Sequence, residues 1–210
     1  MDYKLNLSIN ATDLEKLRER NLNIVLGKSI SNEIPRIAWS SLDPFEHNDI
    51  RWKDEFGIYA ALNTSLEVGS VVNVVSDLQN AEPGKTYIFE ETGVFKMTDQ
   101  PAEPYSYEID NQMPANQNPA LTFGLMQDVT IQGINKELSV INALAVPANQ
   151  RVRFLDATKH IIYIWLLENT ASSTVIDAEP EKATVLAFTD FTESHDISLH
   201  FDMKTMKFIP

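Results

Sequence analysis

The chain contains no cysteine. That removes disulfides, thiolate nucleophiles and cysteine-ligated zinc together, so stability has to come from burial rather than from covalent staples. Basic residues are also scarce: 17 Lys and Arg stand against 30 Asp and Glu, a formal net charge of −13. Proteins that bind phosphate backbones need clustered cations to displace counterions, so nucleic acid is excluded as an expected partner. An anionic membrane surface is disfavoured on the same ground. Long apolar runs are missing as well. The longest, Ile161 to Leu167, is seven residues, against the roughly 20 that a membrane-spanning helix needs.

Two further absences bear on location and chemistry. The start, MDYKLNLSIN, lacks a basic segment followed by an apolar stretch, so the chain is expected to be cytoplasmic as synthesised, with release by a leaderless route left open. The sequons at Asn6, Asn10 and Asn63 matter only after secretion. The seven glycines are scattered singly. Gly27-Lys28-Ser29 lacks the upstream glycine of a phosphate-binding loop, and no G-x-S-x-G nucleophile elbow occurs.

What is present is an apolar content of 43 % and a run of short segments with the two-residue period of strands. Tyr3, Leu5, Leu7 and Ile9 alternate with Lys4, Asn6 and Ser8, predicting a half-buried first strand. Thr12 to Glu15 reads as a capping box and predicts one short helix over 13–20, with Leu14 and Leu17 inward and Asn21 ending it in a left-handed conformation. Strands are then expected over 22–26, 34–39, 56–62, 68–75, 86–90, 94–97, 105–109, 121–129, 138–146, 150–155, 161–168, 174–176, 183–189, 196–202 and 207–209. The run from Ile161 to Leu167 is apolar on both parities and predicts a strand covered on both faces.

The absence of crossover helices excludes a βαβ fold. The expected class is all-β, an antiparallel β-sandwich of jelly-roll or immunoglobulin-like style, or two packed β units, with one short N-terminal helix. The expectation is a single domain over 1–210, and any subdomain boundary falls in the proline- and amide-rich stretch 112–119. A six-residue echo between 81–86 and 178–183 reads as shared turn chemistry.

Candidate function sits on loops and aromatics. Between Ile37 and Leu62 five rings, Trp39, Phe45, Trp52, Phe56 and Tyr59, surround a polar knot. Trp39, Trp52, Phe56 and Tyr59 read as core, and Asp43 to Asp49, with Phe45 in it, reads as the loop they support. In that loop Phe45, Glu46, His47, Asn48 and Asp49 are candidate contact residues. Oxygen and imidazole donors there suit calcium or a transition metal, although a calcium loop would place glycine at its sharp turn and none is present. Trp52, Tyr105 and Tyr107 lie near amide-rich segments and are candidate rings for stacking on a glycan or anchoring a protein.

Asp196, Ser198, His200 and Asp202 share one strand face. Same-face neighbours lie ~7 Å apart, too far for a nucleophile and its base, so the segment reads as a solvent face. Pairs such as Glu90 with Glu91 and Asp54 with Glu55 point to opposite faces and do not form a preset acid and base.

The function expected is binding without catalysis: recognition of a protein or glycan partner, or self-assembly into a homo-oligomer, with no cofactor. Two alternatives accompany it. One is a membrane-acting β protein of toxin type. The other is a metal-dependent enzyme using His47 or His200.

Overall fold

A computed structural model describes residues 2–30, 33–62, 65–155, 160–188 and 195–210. In chain order the elements are β1 (Asp2–Ser8), α1 (Ala11–Glu19), β2 (Leu22–Lys28), β3 (Ser40–Leu42), β4 (His47–Lys53), β5 (Gly57–Ala61) and β6 (Val74–Leu78). There follow β7 (Lys85–Phe89), β8 (Phe95–Pro101), β9 (Ser106–Asn111), β10 (Ala120–Ile131), β11 (Ile134–Val140) and β12 (Leu144–Pro147). The chain closes with β13 (Arg151–Leu155), β14 (His160–Glu168), a 3-10 turn at Pro180–Lys182, β15 (Thr184–Phe188), β16 (Asp196–Asp202) and β17 (Lys207–Ile209).

The protein is mostly β, with several antiparallel or mixed sheets and one α-helix among the described residues. The largest sheet runs β17-β16-β1-β4-β10-β5-β6, with β11 and β12 also pairing β10; the others are β13-β9-β7-β8 and β15-β14-β2-β3. Pairing is not wholly antiparallel. β1 lies parallel to β16 and β7 parallel to β9. The first of these needs no crossover helix, because it joins opposite ends of the chain.

Buried apolar residues from all three sheets and from α1 merge into one cluster that includes Leu5, Leu17, Ile24, Trp39, Trp52, Phe89, Phe123 and Ile162. It draws on both sides of 112–119. Two smaller clusters sit around Tyr59 with Met126, and around Trp165 with Val25. β14 sends Ile162 and Ile164 into the main core and Trp165 into the third cluster, so both its faces are covered, as its double-parity sequence requires.

The departures from the sequence-based expectation have local causes. The helix is capped by Asn10, not Thr12: the Asn10 side chain accepts from the Asp13 N–H at 3.0 Å and donates to its carboxylate at 2.7 Å. Helical geometry begins at Ala11, so Thr12 already lies inside the first turn. Asn21 does take positive φ, 51°.

The segments expected as strands at 34–39 and 174–176 contribute only isolated bridges, Ile37 to Val175 and Val71 to Thr174. The strand expected at 68–75 begins only at Val74, and the one expected over 138–146 splits into β11 and β12. Asn63 and Thr189 lie outside the described residues.

The main correction concerns the polar loop. His47 to Asp49 already belongs to β4, whose inward residues are Asn48, Ile50 and Trp52. An asparagine on the buried parity hid the alternation.

Candidate functional site

β10 is 12 residues long and is bordered on one side by two successive strands, β4 and β5. Register pairs Trp52 with Val129 and Gly57 with Met126. Between those pairs the β4–β5 side has Lys53, Asp54, Glu55 and Phe56, whereas β10 has only Gln127 and Asp128. The surplus residues cannot all pair, so the ladder opens. Gly57 stands at the far edge, where a Cβ would sit 2.6 Å from Met126 Cε and 3.0 Å from the Leu78 carbonyl oxygen.

Gln127 fills the breach from within. It is 2 % exposed; its Nε2 donates to the Lys53 carbonyl at 2.6 Å, its Oε1 accepts from Lys28 Nζ at 2.8 Å, and its backbone carbonyl accepts from Trp39 Nε1 at 3.2 Å. Outside the breach lies a cleft of about 880 Å³. Lys53, Glu55, Gln79, Asn80 and Asp128 line it at the breach; Asp2, Lys4, Arg51 and Asp196 line it along β1, β4 and β16.

Tyr3, Trp52, Phe56 and His195 also line this cleft. Tyr3 stacks on Trp52 with ring centres 5.3 Å apart and planes 6° apart, and Trp39 meets Trp52 edge-on at 5.6 Å. Among the described residues Trp52 Nε1 and His195 Nδ1, both shielded from solvent, have no hydrogen-bond partner. Two of the cations on the rim are paired. Lys4 pairs with Asp196 at 3.3 Å, and Arg51 grips Asp49 with two bonds of 2.7 and 2.9 Å. The bonds from Arg51 hold the Asp49 carboxyl below its ordinary value.

The eight residues expected to form a contact surface do not come together as one. Trp52 lines the cleft but is 3 % exposed, and Tyr107 is 2 % exposed against Phe56, so neither ring offers a face for stacking. Asn48 is 1 % exposed and spends its side chain on the Phe45 backbone and the Leu7 carbonyl. Asp49 is engaged by Arg51. Glu46 and His47 are exposed at the start of β4. Phe45 borders a second, smaller cleft of about 370 Å³ with the Arg18 guanidinium 5.7 Å over its ring. Tyr105 is 66 % exposed at the turn before β9 and holds φ at 59°, rare for an aromatic residue.

His47, Ser8 and His200 stand side by side across β4, β1 and β16. The two histidines are two strand spacings apart, roughly 9.6 Å, and the Ser8 hydroxyl donates instead to the Leu199 carbonyl at 3.2 Å. Among the described residues no group of three or more His, Asp or Glu could hold a metal ion, which gives the calcium and metalloenzyme expectations no site there. No described helix is long and apolar enough to cross a membrane.

The sequence reading weighs Lys28 only as part of a phosphate-binding loop and passes over Gln127. The available signal was a lysine and a glutamine within two largely apolar stretches, LNIVLGK and LTFGLMQDV. Comparison with protein-family models, curated proteins and solved structures finds no match to this chain.

Proposed function

We propose that this protein is a non-catalytic binding module, a β-sandwich whose sheets pack around the shared core, and that the cleft beside the β4–β5 breach takes a neutral polyhydroxylated ligand, a glycan. The observation that carries this reading is the mixed polar lining. Lys4, Arg51 and Lys53 line it together with Asp2, Glu55, Asp128 and Asp196, and two of the cations are already matched, Lys4 by Asp196 and Arg51 by Asp49. A site for an anion presents uncompensated positive charge, whereas here Lys53 stands among Asp2, Glu55 and Asp128. Carboxylates beside the amides of Gln79, Asn80 and Asn135 supply acceptors and donors side by side, the pattern that adjacent hydroxyls satisfy.

With the flanking rings buried, affinity rests on hydrogen bonds and is expected in the millimolar to micromolar range, on the order of −4 to −8 kcal/mol. The test is a titration of the ¹⁵N-labelled protein with neutral oligosaccharides. Shifts centred on Lys53, Glu55, Gln79 and Asn80 are expected, and Gln79→Ala with Asn80→Gly should abolish them; Gly suits the positive φ of 52° at position 80. Shifts elsewhere, or none across the panel, reject the cleft as the site. A protein partner is the second reading, favoured by the exposed, strained Tyr105; binding in that case would respond to Tyr105→Ala and not to the cleft variants.

A further inference from the structure

Lys28 ends β2 in one sheet and Gln127 lies on β10 in another, 99 residues further along the chain. Each is 2 % exposed. The Lys28 amine lies 2.8 Å from Gln127 Oε1, one bond from the carboxamide carbon, with the Phe56 ring centre 4.4 Å away and Trp39 at 5.9 Å. The nitrogen that would leave, Nε2, is held by the Lys53 carbonyl at 2.6 Å. The next residue, Asp54, has a carboxylate oxygen sealed from solvent. A primary amine and a carboxamide thus meet beside apolar rings, which hold the reactants in place and limit water, and the Asp54 carboxylate follows directly on the residue that holds Nε2.

We propose that Lys28 and Gln127 form an intramolecular isopeptide bond that ties the two sheets covalently. The Lys28 ammonium gives a proton to the Asp54 carboxylate, and the freed lone pair attacks Gln127 Cδ. The Cδ–Nζ bond forms as the carbonyl electrons move onto Oε1. A proton passes from Nζ to Nε2. The carbonyl re-forms, the Cδ–Nε2 bond breaks, and the ammonia released takes the proton held by Asp54 and departs as ammonium, leaving Asp54 a carboxylate again. No oxidant or second substrate is needed. Gln127 also lines the cleft, which provides the exit for ammonium.

Intact-mass spectrometry of the full chain tests this directly. The wild-type protein should be lighter than its sequence by one ammonia, and tryptic digestion should yield a branched peptide joining the segments around Lys28 and Gln127, with no cleavage after Lys28. Gln127→Glu should lose one water instead and arrive at the same final mass as the wild type. Lys28→Met and Asp54→Asn should keep their full sequence masses. A folded wild-type protein of full mass that releases a linear peptide ending at Lys28 overturns the proposal. So does a mass deficit that maps elsewhere or survives in Lys28→Met. Should that variant fail to fold, the wild-type peptide map and the Gln127→Glu mass decide the matter.

Discussion

Asn48 clamps Phe45: its Oδ1 accepts from the Phe45 N–H at 3.0 Å while its Nδ2 donates to the Phe45 carbonyl at 2.8 Å. A third bond, from Nδ2 to the Leu7 carbonyl at 3.1 Å, fixes the turn to β1. Truncating a buried, fully bonded amide strands the backbone groups it satisfied, so Asn48→Ala should cost about 2–3 kcal/mol. For a chain of this size the melting temperature should fall by roughly 5–10 °C. Asn48→Asp is expected to do no better, since a carboxylate cannot donate to the two carbonyls. A melting temperature unchanged in the alanine variant would contradict this role.

Gly124 faces the Asn142 backbone. A Cβ there would overlap the Asn142 carbonyl oxygen and come within 2.7 Å of the Tyr59 ring, and backbone cannot move aside as a side chain can. The gap between β11 and β12 is where Asn142 presses onto β10; its side-chain oxygen accepts from the Leu125 N–H at 2.7 Å. Gly124→Ala is therefore expected to cost about 3 kcal/mol, measured by chemical denaturation. Gly93→Ala, whose Cβ meets nothing within 4 Å but whose φ is 78°, separates crowding from backbone strain and should cost less, about 1 kcal/mol.

The Tyr59 hydroxyl donates to the Asn142 carbonyl at 2.6 Å from a fully buried site. Burial pushes its phenol well above the ordinary value of 10. A folded value above the unfolded one means that the stabilisation is complete below about pH 10 and is lost as pH rises toward the folded value. Absorbance titration should show this tyrosine ionising only as the protein unfolds. Tyr59→Phe should weaken the fold by about 1 kcal/mol at neutral pH and flatten the alkaline decline.

Asp49 provides the acid-side counterpart. Its bonds to Arg51 lower its folded value below 3.8, so its stabilisation is present above about that pH and disappears as pH falls through the folded value. The pair is largely solvated, and the effect should be small and salt-sensitive. Melting curves of the wild type and Asp49→Asn should differ slightly at pH 7 and converge near pH 2. A difference that grows on acidification would refute the assignment.

Much of the strand inventory could be read from residue order because its cause is local. The alternation of Tyr3, Leu5 and Leu7 with polar residues, and the double-parity apolar run at β14, each reflect burial that one strand experiences by itself. β4 was hidden because Asn48 occupies an inward position, and its burial makes sense only beside Phe45 and Leu7. The core reading of Trp39, Trp52, Phe56 and Tyr59 holds, since all four are buried. The added contact roles of Trp52 and Tyr107 do not follow, because nothing along the chain shows that Tyr3 covers one and Phe56 meets the other.

What the order of residues determined by itself was the class of molecule: a cysteine-free, acidic, mostly β chain with one short helix, in which large rings had to be buried. Period-two burial and net charge are properties of neighbours in sequence, so they need no fold to be seen. What only the tertiary structure decided was the site. The breach opens because four residues, Lys53 to Phe56, face two on β10, and Lys28 meets Gln127 because two sheets close on one core. Both depend on register between segments tens of residues apart, which no local pattern encodes.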